Sequence, residues 1–322
     1  MSYTRSALIT GGTLNLGYHV ALTLARQHPD WLIVISSRSD RLDAATKINS
    51  LLSQKNVTFI PLDLSSPENV RSFAESWSGN KYPPIQALCL NAALQFPNET
   101  VYTPEGIEAT FAITHVGHAL LFHLLSPHLA PAARIVVTSS GVHDPATKSG
   151  LPDAVYTSAE NLAHPPPEIA NGDGRRHYAN AKLANVLWTY ALSKRLREKV
   201  PDRGISVNAF DPGLMPGTGL AREYSALARF LWERIMPRVI PLLRVLMGTR
   251  NIHRPEESAA RLARLVEGGD GMGVEEKYFE GGREIRSSVD SYDEEKSEDL
   301  WEWTVKYCAR DEEEEKRFES FT

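Results

Sequence analysis

The sequence predicts an α/β fold, a doubly wound parallel sheet in a single domain. Three observations carry that reading. Short apolar runs that do not alternate, such as Trp31-Leu-Ile-Val-Ile35, read as strands buried on both faces. Helical patterns separate these runs, which suits a parallel sheet. The first run, Ala7-Leu8-Ile9-Thr10, stops at the turn Gly11-Gly12-Thr13-Leu14-Asn15-Leu16-Gly17. A helical pattern with Val20, Leu24 and Ala25 on one side follows it. Strand, tight turn and helix in that order form the phosphate-binding start of a dinucleotide fold. Gly11 lets the chain turn sharply, a missing side chain lets backbone N–H groups approach a pyrophosphate, and the helix N-terminus adds partial positive charge. Taken alone, a glycine-rich turn of this kind is often only a turn.

Composition narrows the classes. A chain of 322 residues suits one α/β domain with a tail, and also two small domains. The apolar fraction of 42% supports a large core, and a net charge of −5 argues against a nucleic-acid surface. Two cysteines, Cys89 and Cys308, make no disulfide framework, so a reducing compartment, the cytoplasm, is expected. No signal peptide is read before Ala7, since Met-Ser-Tyr-Thr-Arg is short and polar. No uninterrupted apolar segment approaches the ~20 residues of a bilayer span. Leu227 to Met247 reads as the most apolar stretch, but Arg229, Glu233, Arg234, Arg238 and Arg244 interrupt it.

The elements follow in order. The second strand ends in Ser36-Ser37-Arg38. An acidic residue here would hold the ribose hydroxyls of NAD, and a basic one accommodates the 2′-phosphate of NADP. No carboxylate occurs until Asp40, and Arg38, with Arg41 nearby, favours NADP. The plainer reading of Arg38 is a solvated surface arginine. Val57 to Leu62 reads as a third strand, followed by Asp63-Leu64 and a helix N-cap at Ser65 or Ser66 before Pro67. Ile85 to Leu90 is a fourth strand, and Asn91-Ala92-Ala93 after it could be only a turn. Phe111 to His118 opens a long helix towards Leu129. His115 and His118 lie three apart on it with no further ligand cluster, so no metal site is expected. Ala133 to Ser140 is a fifth strand ending in two hydroxyls. In an open parallel sheet, chemistry collects beyond the carboxyl ends of the strands. Gly141 to Asp173, proline-rich and polar, reads as a long loop shaped by function or as an insertion.

Tyr178-Ala-Asn-Ala-Lys182 opens the next helix and sets a phenol and an ammonium on one face. A phenol delivers a proton to a developing alkoxide only if its pKa falls, and a nearby ammonium lowers it electrostatically. Tyr190/Lys194 and Tyr292/Lys296 share the spacing. Position separates them: Tyr178 stands at the start of its helix, Lys194 lies at a basic, solvated end, and Tyr292 sits in an acidic tail. Ile205 to Phe210 is a sixth strand, followed by Asp211-Pro212-Gly213 and Gly217-Thr218-Gly219-Leu220.

In this order, from residue 7 to about 220, the motifs resemble the short-chain dehydrogenases/reductases, whose fold is the Rossmann fold. Thr10-Gly11-x-x-x-Asn15-x-Gly17 resembles the family's Thr-Gly-x-x-x-Gly-x-Gly, with Asn15 at the middle glycine. Asparagine tolerates the left-handed conformation better than other non-glycine residues. Asn15-Leu16-Gly17 is also similar to the turn of ergosterol-pathway 3-ketosteroid reductases. Lys182-Leu-Ala-Asn185, the helix at 111–125 and Gly219-Leu220 look most like the retinol dehydrogenase and protochlorophyllide reductase group.

The resemblance implies roles. Ser140, the second hydroxyl, would orient a substrate carbonyl. Tyr178 would protonate it, and Lys182 would lower the tyrosine pKa and bind ribose. Thr114 stands where relatives carry an asparagine whose carbonyl helps hold a water in a relay to the lysine. Thr10, Gly11, Asn15, Leu16 and Gly17 would hold the cofactor phosphates, and Arg38 the 2′-phosphate. Asp63, Leu64, Asn91 and Ala92 would flank adenine and ribose. Pro212 and Gly213 would face the nicotinamide, with Thr218 on its carboxamide. The implied function is NADP-dependent reduction of a carbonyl on a lipophilic small molecule, such as a steroid, a retinoid-like compound or a secondary metabolite, or oxidation of the matching alcohol. Reduction of a carbon–carbon double bond is a second reading. A cofactor-binding regulator without turnover is a third, left open by Asn15 and Thr114 and opposed by the intact Ser140, Tyr178 and Lys182.

Residues 221–254 read as helical segments broken by Pro237 and Pro241. In relatives this region closes over the substrate, so an apolar lid is expected, with core packing or shallow membrane contact as alternatives. Glu256 to Val266 reads as a helix and Lys277 to Phe279 as the last strand. The domain is placed at 1–288. The tail from Val289 carries 13 acidic and 5 basic residues, net −8, leaving the rest at +3. It reads as a solvated helix or disordered end, docked through Trp301 and Val305. Expected partners are a lipophilic small molecule and no nucleic acid, with an oligomer left open.

Overall fold

In the computed structural model, residues 3–219, 225–268 and 276–321 are described. Eight strands form one sheet: β1 (Arg5–Thr10), β2 (Trp31–Ser37), β3 (Val57–Pro61), β4 (Ile85–Leu90), β5 (Leu129–Thr138), β6 (Ser206–Asp211), β7 (Lys277–Glu280) and β8 (Arg283–Ile285). Their order is β3-β2-β1-β4-β5-β6-β7-β8, and only β8 runs antiparallel to its neighbour. The order reverses between β1 and β4, where Ile9 pairs with Cys89. Beyond the carboxyl ends of those two strands lies the crevice in which such sheets bind ligands.

The inner strands do not alternate because helices cover both faces. On one face Leu8, Val34 and Leu88 pack with Phe111, Phe122 and Trp188. On the other, Ile9, Ile33, Ile35 and Cys89 pack against Val20, Leu24 and Leu262. The helices of the first half are α1 (Asn15–Gln27), α2 (Ala44–Leu52) and α3 (Pro67–Gly79). Ser66 caps α3 by accepting from the Asn69 N–H, with Pro67 in its first turn.

The long helix expected from Phe111 has three parts: α4 (Ala109–Phe111), a π turn (Ala112–Val116) and α5 (Gly117–Leu125). The whole run Ala109–His128 is long and apolar enough to cross a bilayer, but 94% of its most apolar window is buried inside the fold. It is therefore a core element, and it meets the bilayer-span criterion that the sequence reading assigned to no segment.

Gly141 to Asp173 is not an open loop. It carries two 3-10 turns, α6 (Ala159–Ala163) and α7 (Pro167–Ala170), ahead of α8 (Arg175–Lys199). The expected lid forms α9 (Ala226–Phe230), a π turn (Leu231–Ile235), a 3-10 turn and α10 (Ile240–Leu246), with Pro237 and Pro241 in first turns. Leu220 and residues 221–224 lie outside the described residues. After α11 (Pro255–Glu267) and β7, the short β8 was not anticipated. All three residues of its Arg-Glu-Ile sequence are exposed on the sheet edge, so no apolar pattern announces it.

The acidic tail is helical rather than disordered, with many of its carboxylates exposed, and it docks through Trp301 and Val305 as expected. It forms α12 (Glu294–Cys308) and α13 (Glu312–Ser320), and Trp301, Val305 and Phe318 are buried against the body. The basic end of α8, expected in solvent, is where the tail docks: Arg195 pairs with Glu298, and Lys199 with Glu319 at 2.8 Å.

Candidate active site

The turn after β1 is built to admit a charged group against backbone. Gly11 has φ +66°, and a Cβ on it would meet Ala92 and Asn91 at 3.1 Å. A Cβ on Gly17 would sit 2.3 Å from the Gly11 carbonyl. Asn15 adopts φ +48°, so it takes the left-handed conformation expected of the residue at this place. Leu14 precedes α1 and provides no capping side chain. The first N–H groups of a 13-residue helix are thus left for a ligand. A nicotinamide dinucleotide fits this cradle through its phosphates.

Thr10 was expected beside the cofactor, but its hydroxyl is buried and does structural work. Its Oγ1 accepts from the Asn91 N–H at 2.8 Å and the Ala92 N–H at 3.0 Å. Asn91 returns a hydrogen bond from Nδ2 to the Thr10 carbonyl at 2.9 Å. These contacts lock the ends of β1 and β4 together at the switch point. His118 joins the lock, with Nε2 at 2.8 Å from Thr10 Oγ1 and Nδ1 at 3.0 Å from the Thr114 carbonyl. A carbonyl only accepts, so Nδ1 carries the proton and the Thr10 hydroxyl donates to Nε2. Burial, the largest cause, pushes His118 down to about 4 and keeps it neutral.

On the ribose side, Arg38 is exposed at the end of β2. Asp40, the nearest carboxylate, is occupied by the α2 N-terminus, accepting from Ala44 N–H at 2.8 Å and Ala45 N–H at 3.3 Å. Asp63 Oδ1 accepts from the Ser65 N–H and hydroxyl at 3.0 and 2.6 Å, and Leu64 is buried beside it. Gly117 lets the following helix reach the Leu64 backbone, since a Cβ there would lie 2.3 Å from the Leu64 carbonyl.

The two serines after β5 separate by environment. Ser139 is 1% exposed and donates to the Lys182 carbonyl at 3.0 Å. Ser140 is only partly buried, and its Oγ accepts a long 3.5 Å contact from the Val142 N–H. Its proton is left for a ligand oxygen. His143 accepts from the Ser288 N–H through Nε2 at 3.1 Å and donates from Nδ1 to the Ser140 carbonyl at 2.8 Å, fixing that corner.

Tyr178 lies in the first turn of α8, and its hydroxyl has no hydrogen-bond partner among the described residues. Lys182, 1% exposed, sits 5.4 Å from the Tyr178 ring centre and donates from Nζ to the Thr138 carbonyl at 2.8 Å. Asn185 donates to the same carbonyl at 3.1 Å. Desolvation is the largest influence on the pKa of both groups. Burial first, then the negative charge of Asp211, raise the Tyr178 pKa. Burial pushes Lys182 down to about 7, which the Asp211 carboxylate partly opposes. The lysine faces the tyrosine ring and the Thr138 carbonyl, and water is excluded from both groups.

Thr114 lies at the centre of the π turn and is fully buried. Its hydroxyl has no partner among the described residues, while its carbonyl meets His118. Pro212 is held by the Ser258 hydroxyl, which donates to its carbonyl at 2.6 Å. Thr218 donates to the Met215 carbonyl at 2.9 Å, so its hydroxyl is left to accept.

In the sequence Asp211 reads only as part of a turn. It is 3% exposed, with Oδ1 accepting from the Gly213 N–H at 2.8 Å and Oδ2 from Asn251 Nδ2 at 2.7 Å. Burial raises its pKa to about 6. A carboxylate closing a buried strand was the available signal; Asn251, forty positions away, offered none.

A family model described as short chain dehydrogenase matches residues 5–159. The chain is 30% identical to the chloroplastic protochlorophyllide reductase of Pisum sativum over 81% of its own length and 66% of that protein. It is 30% identical to the chloroplastic short-chain dehydrogenase TIC 32 A of Brassica napus over 71% of itself and 72% of the relative. It therefore spans just under two thirds of the pea reductase it matches. Among solved structures, the Pseudomonas aeruginosa RhlG/NADP active-site complex superposes with TM-score 0.61 at 22% identity, covering 86% of this chain and 94% of that one. At that identity the likeness speaks to the fold.

Proposed function

Because the chain belongs to the short-chain dehydrogenase/reductase family, we propose that it is an NADP-dependent oxidoreductase acting on a carbonyl of a lipophilic small molecule, or on the matching alcohol. The observation that carries the reading is the pair of hydroxyls on Ser140 and Tyr178, both left with a proton to give beside a buried lysine. When bound, the nicotinamide supplies the hydride. The chain's own residues do the rest. Ser140 donates to the substrate oxygen and orients it. Tyr178 holds the proton that this oxygen takes as it becomes a hydroxyl. At neutral pH the phenol carries its proton, and positive charge on Lys182 beside it favours release of that proton to the oxygen. Lys182, poised near neutrality, holds the ribose edge and supplies positive charge beside the phenol.

NADP is proposed over NAD because Arg38 is exposed while Asp40 is committed to α2. The RhlG/NADP complex supports the choice from within the fold. The buried, unpaired cysteines Cys89 and Cys308 support a reducing compartment, for which we propose the cytoplasm. Likeness to a protochlorophyllide reductase favours reduction of a carbon–carbon double bond as the second reading. The deciding experiment screens ketones, aldehydes and conjugated alkenes with NADPH and identifies products by NMR and mass spectrometry. An alcohol product bears out the proposal, a saturated ketone selects the second reading, and no consumption of NADPH with any of them overturns both.

A further inference from the structure

The segment from Ser225 to Arg250 presents an apolar face to solvent, set with arginines. On α9 and its π turn, Leu227, Leu231 and Ile235 recur at four-residue intervals and are 70%, 43% and 42% exposed. On α10, Leu242, Val245 and Leu246 form a second stripe at 56%, 78% and 71%. The segment is held from behind. Trp232 donates to the Thr218 carbonyl at 2.8 Å, Arg244 donates from Nε to the Ile252 carbonyl at 2.9 Å, and Ile240 is buried. The outward stripes are therefore the free side of a docked element. Arg229, Arg234, Arg238 and Arg250 are exposed around them. Residues 225–250 hold five arginines against one acid, Glu233, on a chain whose net charge is −5.

We propose that this face docks on an anionic lipid bilayer. Apolar side chains interleaved with arginines are what an interfacial helix needs: the stripe enters the headgroup boundary while guanidinium groups meet lipid phosphates and carboxylates. A second copy of the chain is the poorer occupant, because a two-fold contact would bring arginine-rich faces together. Through Trp232 and Thr218 the face is tied to the turn beside the site. A lipophilic substrate would reach that turn from the bilayer; this consequence rests on the proposed function, whereas the docking does not.

The test is co-sedimentation of the full chain with vesicles of phosphatidylcholine, alone or with phosphatidylserine added, at low and high salt. Binding to the anionic vesicles that weakens with salt is expected. Arg234→Glu with Arg238→Glu should lower the affinity by at least roughly twenty-five-fold, about five-fold for each arginine charge lost. Val245→Asp with Leu246→Asp should remove the binding that persists in salt. Circular dichroism and thermal unfolding show that the variants remain folded. No binding to anionic vesicles at low salt overturns the proposal, as does binding that neither pair of substitutions alters. Self-association abolished by Leu246→Asp, without vesicle binding, would assign the face to a second copy instead. A chain that binds vesicles but turns over no substrate would refute the proposed function and leave the docking intact.

Discussion

The side-chain amide of Asn251 donates to the carboxylate of Asp211 at 2.7 Å, joining the loop before α11 to the end of β6. This contact holds a buried negative charge near Tyr178 and Lys182; the charge adds to the upward effect of burial on the tyrosine and partly opposes the downward effect of burial on the lysine. Asp211 itself keeps its proton to about pH 6 in the fold, against an ordinary value of 3.8. A carboxyl whose folded pKa is raised adds stability below its unfolded pKa, and that contribution is gone once pH has risen through its folded pKa. Urea unfolding of the wild type should therefore lose stability between about pH 4 and pH 6 from this group, at roughly 1.4 kcal/mol per pH unit. Asp211→Asn should flatten the profile in that window. Identical pH profiles for the two proteins would show that Asp211 titrates normally.

Tyr178→Phe should abolish turnover while cofactor affinity stays within a few-fold, because only the transferable proton is lost. Steady-state kinetics and a cofactor titration check it, and retention of most activity rules out the assignment. Tyr190→Phe is the control. Its hydroxyl lies 2.6 Å from the buried Oγ of Ser287, two residues after β8, so its loss should cost about 1 kcal/mol of stability with turnover retained.

Arg38→Asp should weaken NADPH strongly and improve NADH modestly. Charged hydrogen bonds to a phosphate contribute about 1.5–3 kcal/mol each, so one guanidinium favours NADPH by roughly ten- to a hundred-fold. Calorimetric titration of wild type and variant with both cofactors measures this. Equal wild-type affinities would make Arg38 an ordinary surface residue.

Arg71 donates to both carboxylate oxygens of Glu314, at 2.8 and 2.7 Å, and to the Cys308 carbonyl at 2.6 Å. Arg71→Ala leaves the largely buried Glu314 with the Arg310 N–H at 2.8 Å and the Arg317 guanidinium at 3.3 Å, so the loss should be that of charged hydrogen bonds, about 1.5–3 kcal/mol. Equilibrium unfolding should show the loss, and hydrogen exchange should rise first in α12 and α13. A change below about 1 kcal/mol would place the pair with exposed salt bridges.

The sequence by itself determined the alternation of strands and helices, the glycine turn with Asn15, and the order of Ser140, Tyr178 and Lys182 along the chain. These are local properties. Apolar runs, a left-handed turn and an i, i+4 pair are written within a few residues. The tertiary structure decided what depends on distant surfaces meeting. It buried Ser139 under the Lys182 carbonyl and left Ser140 open. It set Asn251 on Asp211, put His118 between Thr10 and Thr114, and folded the acidic tail onto the basic end of α8. It also set the desolvation of Tyr178 and Lys182, which is a property of everything packed around a group and which no spacing along the chain encodes.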